Sequence, residues 1–255
     1  MQPAAELKRR ILAGELTTGI LVTDHLWPQI VEIAKAAGLD YIIIDCEHQP
    51  HAAETVALTC LTGRLAGFPV LVRPSQTSDS AVRAMLDLGP CGLLLPCVES
   101  AAQLDIVRDA AWLPPRGQRR PGGPANRWVR EFTYEAFRSG VEDHLIVIPQ
   151  IESSAALSRA REIAAHEITT ALGLGPFDLS AQMGICGAAL DHPQMQSALA
   201  DLRAGAAAAG KPVWMIGPGA QLVELGFRFI CLGEPSALLT VALRNQIGQL
   251  RKSLT

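Results

Sequence analysis

Several ionisable or amide side chains in this chain stand directly after apolar runs. Asp45-Cys46-Glu47-His48 closes one run, Arg73 closes the next, and Gln150-Ile151-Glu152 closes a third; a fourth passes through Gly173-Leu-Gly-Pro-Phe to Asp178. Glu152 and Asp178 have no His or Cys beside them, which suits a hard divalent cation such as Mg²⁺ or Mn²⁺. Two protein ligands would leave coordination positions open for water and a bidentate substrate. The competing reading is that each carboxylate caps the helix after it, with Ser153 and Ser180 as further candidate caps. Arg73 has no sequence-local carboxylate, so its partner is either a substrate oxyanion or another residue of the same rim. His48 is placed to act as a general base or to be a satisfied structural histidine, with His25 a weaker rival. Gly175-Pro176 reads as a tight turn into a helix whose free N–H groups could hold a carboxylate, or as an ordinary connection. Asp87 sits at a helix end where the dipole disfavours it, a hint that it serves something other than its own helix.

The elements that must position these groups alternate along the whole chain. After a polar opening helix at about 4–13, strands are expected at 18–23, 40–45, 69–73, 92–98, 145–151, 168–174, 212–216 and 227–232. Helices are expected near 28–37, 52–65, 78–88, 101–111, 154–166, within 178–209, at 219–225 and at 236–250. A Pro-, Gly- and Arg-rich segment from Leu113 to His144 interrupts the rhythm and turns weakly helical at 133–138. The strand runs are apolar throughout, the mark of a parallel sheet covered on both faces. Eight βα units in series predict a (β/α)₈ TIM barrel, and the first turn, Thr23-Asp24-His25, lacks the glycines of an open dinucleotide-binding sheet. In such a barrel the C-terminal strand ends form the active rim, where the residues named above fall.

With 255 residues, the chain is expected to form a single domain spanning 1–255. Its net charge of −3 and 5% aromatic content argue against nucleic acid as a partner. No apolar stretch reaches the roughly 18 residues of a membrane span, and Met1–Arg10 is too polar for a secretory leader. The six cysteines are scattered without a C-x-x-C, so reduced thiols and a cytoplasmic location are expected.

Taken in order, Asp45-Cys-Glu-His48, Val72-Arg-Pro74, Leu86-Asp-Leu-Gly89, Pro114-Pro-x-Gly-x-Arg119, Gln150-Ile-Glu-Ser153 and Gly175-Pro-Phe-Asp-Leu-Ser-Ala181 resemble the HpcH/HpaI aldolase family. The likeness continues through Gly210-Lys-Pro-Val213 and Leu225-Gly226 and so covers nearly the whole chain. Such enzymes are class II pyruvate aldolases acting on 4-hydroxy-2-oxo acids, giving pyruvate and an aldehyde. The resemblance implies Glu152 and Asp178 as metal ligands, for Mg²⁺ or Mn²⁺ with Co²⁺ as a further option. It implies Gln150 and the backbone around Gly175, Pro176 and Phe177 as the cradle for the oxo acid, and Arg73 as the group steadying the enolate oxygen. His48 resembles the general base acting through water; Asp87, from the same or a neighbouring subunit, resembles the carboxylate raising its basicity, with Asp45 in support. A homo-oligomer is implied too, a hexamer built as a trimer of dimers that exchange C-terminal helices, although the apolar helix at 237–243 could instead cover its own barrel.

Independently of family, a Schiff-base aldolase needs a lysine inside the barrel rim, and Lys8, Lys35, Lys211 and Lys252 all lie elsewhere. The chain departs from the family pattern at Cys46, Phe177, Arg120 and Gly233-Glu234-Pro235, changes that spare the pyruvate half and alter the aldehyde half. Two other readings follow: an enolate-forming condensing enzyme or lyase on a larger or CoA-linked acid, and a non-catalytic binding barrel.

Overall fold

The computed structural model describes residues 1–120 and 122–253. Eight strands close on themselves in sequence order: β1 (Thr17–Val22), β2 (Tyr41–Asp45), β3 (Val70–Arg73), β4 (Gly92–Leu95), β5 (Ile146–Ile151), β6 (Leu172–Leu174), β7 (Val213–Ile216) and β8 (Phe229–Cys231). Every neighbouring pair is parallel, and Thr17, Thr18 and Gly19 of β1 pair with Phe229, Ile230 and Cys231 to complete the ring. The expected (β/α)₈ TIM barrel is therefore the fold.

The strands form where β-branched and large aliphatic residues cluster. Ile42, Ile43 and Ile44 are fully buried, because β2 faces barrel interior on one side and helices on the other. Inside, Trp214 donates to the Tyr41 hydroxyl at 2.9 Å, and that hydroxyl donates to the Ile230 carbonyl at 2.8 Å. Both buried polar atoms are thus satisfied across β7, β2 and β8.

The helices are α1 (Gln2–Leu12), α2 (Ile30–Ala36), α3 (Ala53–Ala66), α4 (Asp79–Asp87), α5 (Ala101–Ala111), α6 (Tyr134–Gly140), α7 (Ser154–Ser158), α8 (Ala160–Ala165), α9 (Pro176–Gln182), α10 (Pro193–Ala208), α11 (Gly219–Glu224) and α12 (Pro235–Lys252). They run back from the rim, so their C-terminal ends lie at the N-terminal end of the barrel. In α1, Ala4, Leu7 and Ile11 are buried on one face, and Lys8 donates to the carbonyls of Asp143 and Leu145, just before β5.

Three expectations are corrected. The single helix at 154–166 is two, broken at Arg159. Strand four stops at Leu95 rather than 98, because Cys97 turns the chain with a φ of 51°. Strand six starts only at Leu172, since Thr169 and Thr170 are spent on irregular contacts to Ile163 and Val147. The insert between β4 and β5 becomes helical at Tyr134–Gly140, close to expectation.

No residue of α12 is buried, and its Leu239, Val241, Leu243 and Leu250 lie more than half exposed. The last helix therefore does not cover its own barrel. Among the described residues no helix is long and apolar enough to cross a membrane.

Gly92 shows how tightly the staves approach. A Cβ there would lie 2.3 Å from the Ile146 carbonyl oxygen on β5, a backbone atom that cannot move aside. Gly92→Ala is expected to destabilise the barrel by about 1–3 kcal/mol, read as a lower urea midpoint with unchanged slope. An unchanged midpoint would mean that the two strands are not this close.

Candidate active site

Asp45 and Arg73 are register partners across β2 and β3, so the ladder itself sets them side by side at the rim. Arg73 binds Asp45 through a fork, Nε to Oδ1 and Nη2 to Oδ2, each at 2.8 Å. Asp45 is fully buried and Arg73 nearly so. Burial would raise the Asp45 pKa, but the Arg73 fork, its charge and the Glu47 N–H outweigh it and hold the carboxyl below its ordinary range.

The third Arg73 nitrogen, Nη1, lies 3.0 Å from Glu47 Oε2 and 3.5 Å from Gln150 Oε1. Glu47 Oε2 is buried with no hydrogen bond of proper geometry, so its contact with Arg73 is an ion pair alone. Desolvation raises the Glu47 pKa, with Arg73 opposing and Glu152 adding to the rise. Of the two readings left open for Arg73, the rim ion pair is the one seen, with Gln150 at its edge.

Glu152 follows β5 and is buried. Its Oε2 accepts from the Cys97 N–H at 2.7 Å, so it does not cap the next helix; Ser153 does, accepting from Ala156 N–H at 3.1 Å. Asp178 lies in the first turn of α9 without a capping bond, and Ser180 donates to the Phe177 carbonyl instead. Glu152 and Asp178 line one cavity of about 170 Å³ together with Glu47, His48, Cys97 and Glu99. Burial first, and then the Asp178 charge, push the Glu152 pKa up, against the Cys97 N–H and Arg73. A buried carboxyl raised in this way, with a second carboxylate beside it, has the chemistry of a cation site. Among the described residues no three His, Cys, Asp or Glu side chains form a closed cage. What the cavity offers is an open pair.

His48 is mostly exposed at the cavity mouth, with Nε2 3.7 Å from Glu47 Oε2, which is not the setting of a satisfied core histidine. Gly175 carries the β5–β6 ladder one step further, its N–H donating to Ile151, and it lies hard against Glu152. A Cβ at Gly175 would meet Glu152 Oε1 at 2.6 Å, so only glycine lets the carboxylate keep this place. Phe177, one of the departures from the family pattern, is largely exposed to solvent. Pro176 supplies the first residue of α9.

Asp87 is not brought to this rim. It ends α4, hence lies at the other end of the barrel from His48, and Arg119 binds its Oδ1 at 2.7 Å. That ion pair supplies the stabilisation which the helix dipole denies it. The lysines are equally remote: Lys8 and Lys211 hold carbonyls before β5 and β6, and Lys35 holds Ala66. Lys8 is pushed down to about 8 by burial and by Lys211, a shift that suits an amine nucleophile, but in the wrong place for one.

Two site groups were given no role in the sequence reading, Glu47 although it was placed at the rim and Cys97 altogether. Glu47 lies two residues past Asp45, so an extended rim sends both toward Arg73, and that spacing was the available signal. Cys97 had none, since its left-handed turn and the N–H it aims at Glu152 exist only in the fold.

The sequence profile of the HpcH/HpaI aldolase/citrate lyase family matches residues 25–217. This chain belongs to that family and is an enzyme of the aldolase/lyase class. It is 31% identical to a hydroxypyruvate/pyruvate aldolase from Pseudomonas aeruginosa, over 98% of this chain and 94% of that one. A 2-keto-3-deoxy-L-rhamnonate aldolase from Shigella boydii is 29% identical, over 96% of this chain and 92% of that one. Among solved structures, an HpcH/HpaI aldolase from Desulfitobacterium hafniense superposes with a TM-score of 0.87 at 27% identity, covering 96% of each chain.

The Asp45 carboxyl titrates lower folded than unfolded, so its contribution is full above the unfolded pKa of about 3.9 and is lost as pH falls through the folded value. Acid unfolding of Arg73→Met, followed by circular dichroism, is expected to begin at higher pH than that of the parent protein. Coincident acid limbs would show that the pair contributes nothing there.

Proposed function

We propose that this enzyme catalyses the reversible cleavage of a 4-hydroxy-2-oxo acid to pyruvate, or a close 2-oxo acid, and an aldehyde, with a divalent metal as cofactor. The observation that carries this is the meeting of Glu152 and Asp178 in one cavity beside the buried Arg73. Held by those two carboxylates, Mg²⁺, Mn²⁺ or Co²⁺ would supply Lewis acidity toward the oxo acid's oxygens. Arg73, held in place by Asp45 and Glu47, supplies a fixed positive charge near the oxygen that gains charge as the enolate forms, so no reorganisation is needed at that moment. Gln150 and the backbone of Gly175–Phe177 orient the acid. His48 takes the proton from the 4-hydroxyl; the C3–C4 bond breaks, its electrons pass to the enolate, and C3 is then reprotonated.

A CoA-linked substrate is disfavoured because, among the described residues, no Lys or Arg lines the cavity to meet its phosphates. Proton–deuterium exchange at the pyruvate methyl, followed by NMR with Mg²⁺ added, tests the enolate step alone. Glu152→Gln and Asp178→Asn are each expected to lower exchange by about a hundredfold or more. Gly175→Ala should do likewise through displaced Glu152, with the fold retained. Exchange that survives chelation, or is unchanged in Asp178→Asn, sinks the reading.

The bare apolar flank of α12 supports a homo-oligomer in which copies exchange C-terminal helices and assemble as a trimer of dimers, with Asp87 of one copy serving His48 of another. Sedimentation is expected to give a hexamer that dissociates when Leu239 and Leu243 are both changed to Asp. A monomeric parent protein would refute it.

A further inference from the structure

The charge of the cavity that the proposed reaction uses is one-sided. Besides the carboxylate pair, Val98, Ala156, Ser153, Gln182 and Glu99 line it. Four carboxylates face it in all, and among the described residues His48 is the sole basic side chain along its lining. Each of the others has an offsetting partner. Glu47 is paired with Arg73, and Glu152 with Asp178 would share a divalent cation.

Glu99 has none. Among the described residues its carboxylate accepts only from the Ser153 hydroxyl, at 3.1 Å. The Arg159 guanidinium binds the Glu99 backbone carbonyl at 3.2 Å rather than its carboxylate. Ser153 is in turn occupied by the Ala156 N–H. A second Glu99 oxygen therefore remains to accept a hydrogen bond from whatever enters, while its charge repels an entering anion.

We infer that Glu99 makes this cavity select an uncharged, hydroxyl-bearing aldehyde and reject aldehydes that carry a carboxylate. The inference rests on the aldolase reading and specifies the aldehyde half of the substrate. The small cavity limits that partner to a short chain of about two to four carbons. Glycolaldehyde fits the description, and glyoxylate, the same length with a carboxylate in place of the alcohol, does not. The Glu99 carboxylate stands at an exposed place, so solvent and salt weaken its field, and the discrimination is moderate and salt-sensitive.

The experiment measures kcat/KM for both aldehydes with pyruvate and Mn²⁺, in the parent enzyme and in Glu99→Gln. Comparing the glyoxylate-to-glycolaldehyde ratio between the two proteins cancels the intrinsic reactivity of each aldehyde. At low ionic strength the ratio is expected to rise about tenfold in Glu99→Gln, and the gap between the proteins to shrink as KCl is added. Glu99→Lys should move the ratio further in the same direction. A change below about threefold in both variants, or a gap indifferent to salt, overturns the inference. Pyruvate methyl exchange is recorded on the same samples. Exchange without the charge preference defeats only this inference, whereas no exchange in any protein defeats the aldolase reading itself.

Discussion

The rim is organised around one buried ion pair. Arg73 and Asp45 are neighbours in the β2–β3 register, both out of water, and joined by two 2.8 Å bonds. Taking two such charges from solvent costs several kcal/mol each, and removing either partner from such a pair costs about 3–5 kcal/mol. The arrangement is tolerable only because the planar guanidinium meets the carboxylate in register and Glu47 and Gln150 occupy its remaining edge. Although committed this way, Arg73 still pulls the Glu152 pKa down, but burial first and then the Asp178 charge outweigh it and keep that carboxyl raised. The ion pair thus fixes the arginine without cancelling the charge of the carboxylates beside it.

Chain direction sorts everything else. Parallel strands deliver Asp45, Arg73, Glu152 and Asp178 to one end, and the returning helices carry Asp87, with its partner Arg119, to the other. Two half-buried lysines, Lys8 and Lys211, are sorted the same way, to carbonyls at the N-terminal end. An amine with a depressed pKa is therefore present in the molecule yet barred from the rim by topology. Asp87 and α12 share a different feature: each is complete as structure but faces outward, the one as a half-exposed carboxylate and the other as an apolar flank.

Much of this was legible in the sequence because it depends on periodicity and position. Apolar runs marked all eight strands, and the residue that follows a strand in a parallel barrel is at the rim whatever its exact register. Boundaries failed where tertiary contacts ended an element early, as at Cys97 and at Thr169–Thr170. The capping alternatives for Glu152 and Asp178 were undecidable from one dimension, since a serine next door can do the same work, and Ser153 does. The exposure of Phe177 was not legible, because spacing does not reveal which way a residue in the first turn of a helix points. Asp87 was recognised by type and motif, and only the antiparallel return of α4 shows how far it lies from His48 in one chain.

The glycine at 175 ties the fold to the chemistry most closely. It extends the β5–β6 pairing by one bond, ends the strand, and precedes the proline that starts α9. Any side chain there would collide with the Glu152 carboxylate, so the backbone must pass at contact distance from a buried negative group. Backbone approach this close is favourable for a carboxylate only where N–H dipoles point at it, and the one that does comes from Cys97 on the facing strand end. Glu152 is consequently gripped on one side by an N–H and on the other by bare backbone, with its remaining direction open to the cavity it shares with Asp178. A carboxylate so confined loses little freedom on taking up a cation, which is the condition for a tight site built from only two protein ligands.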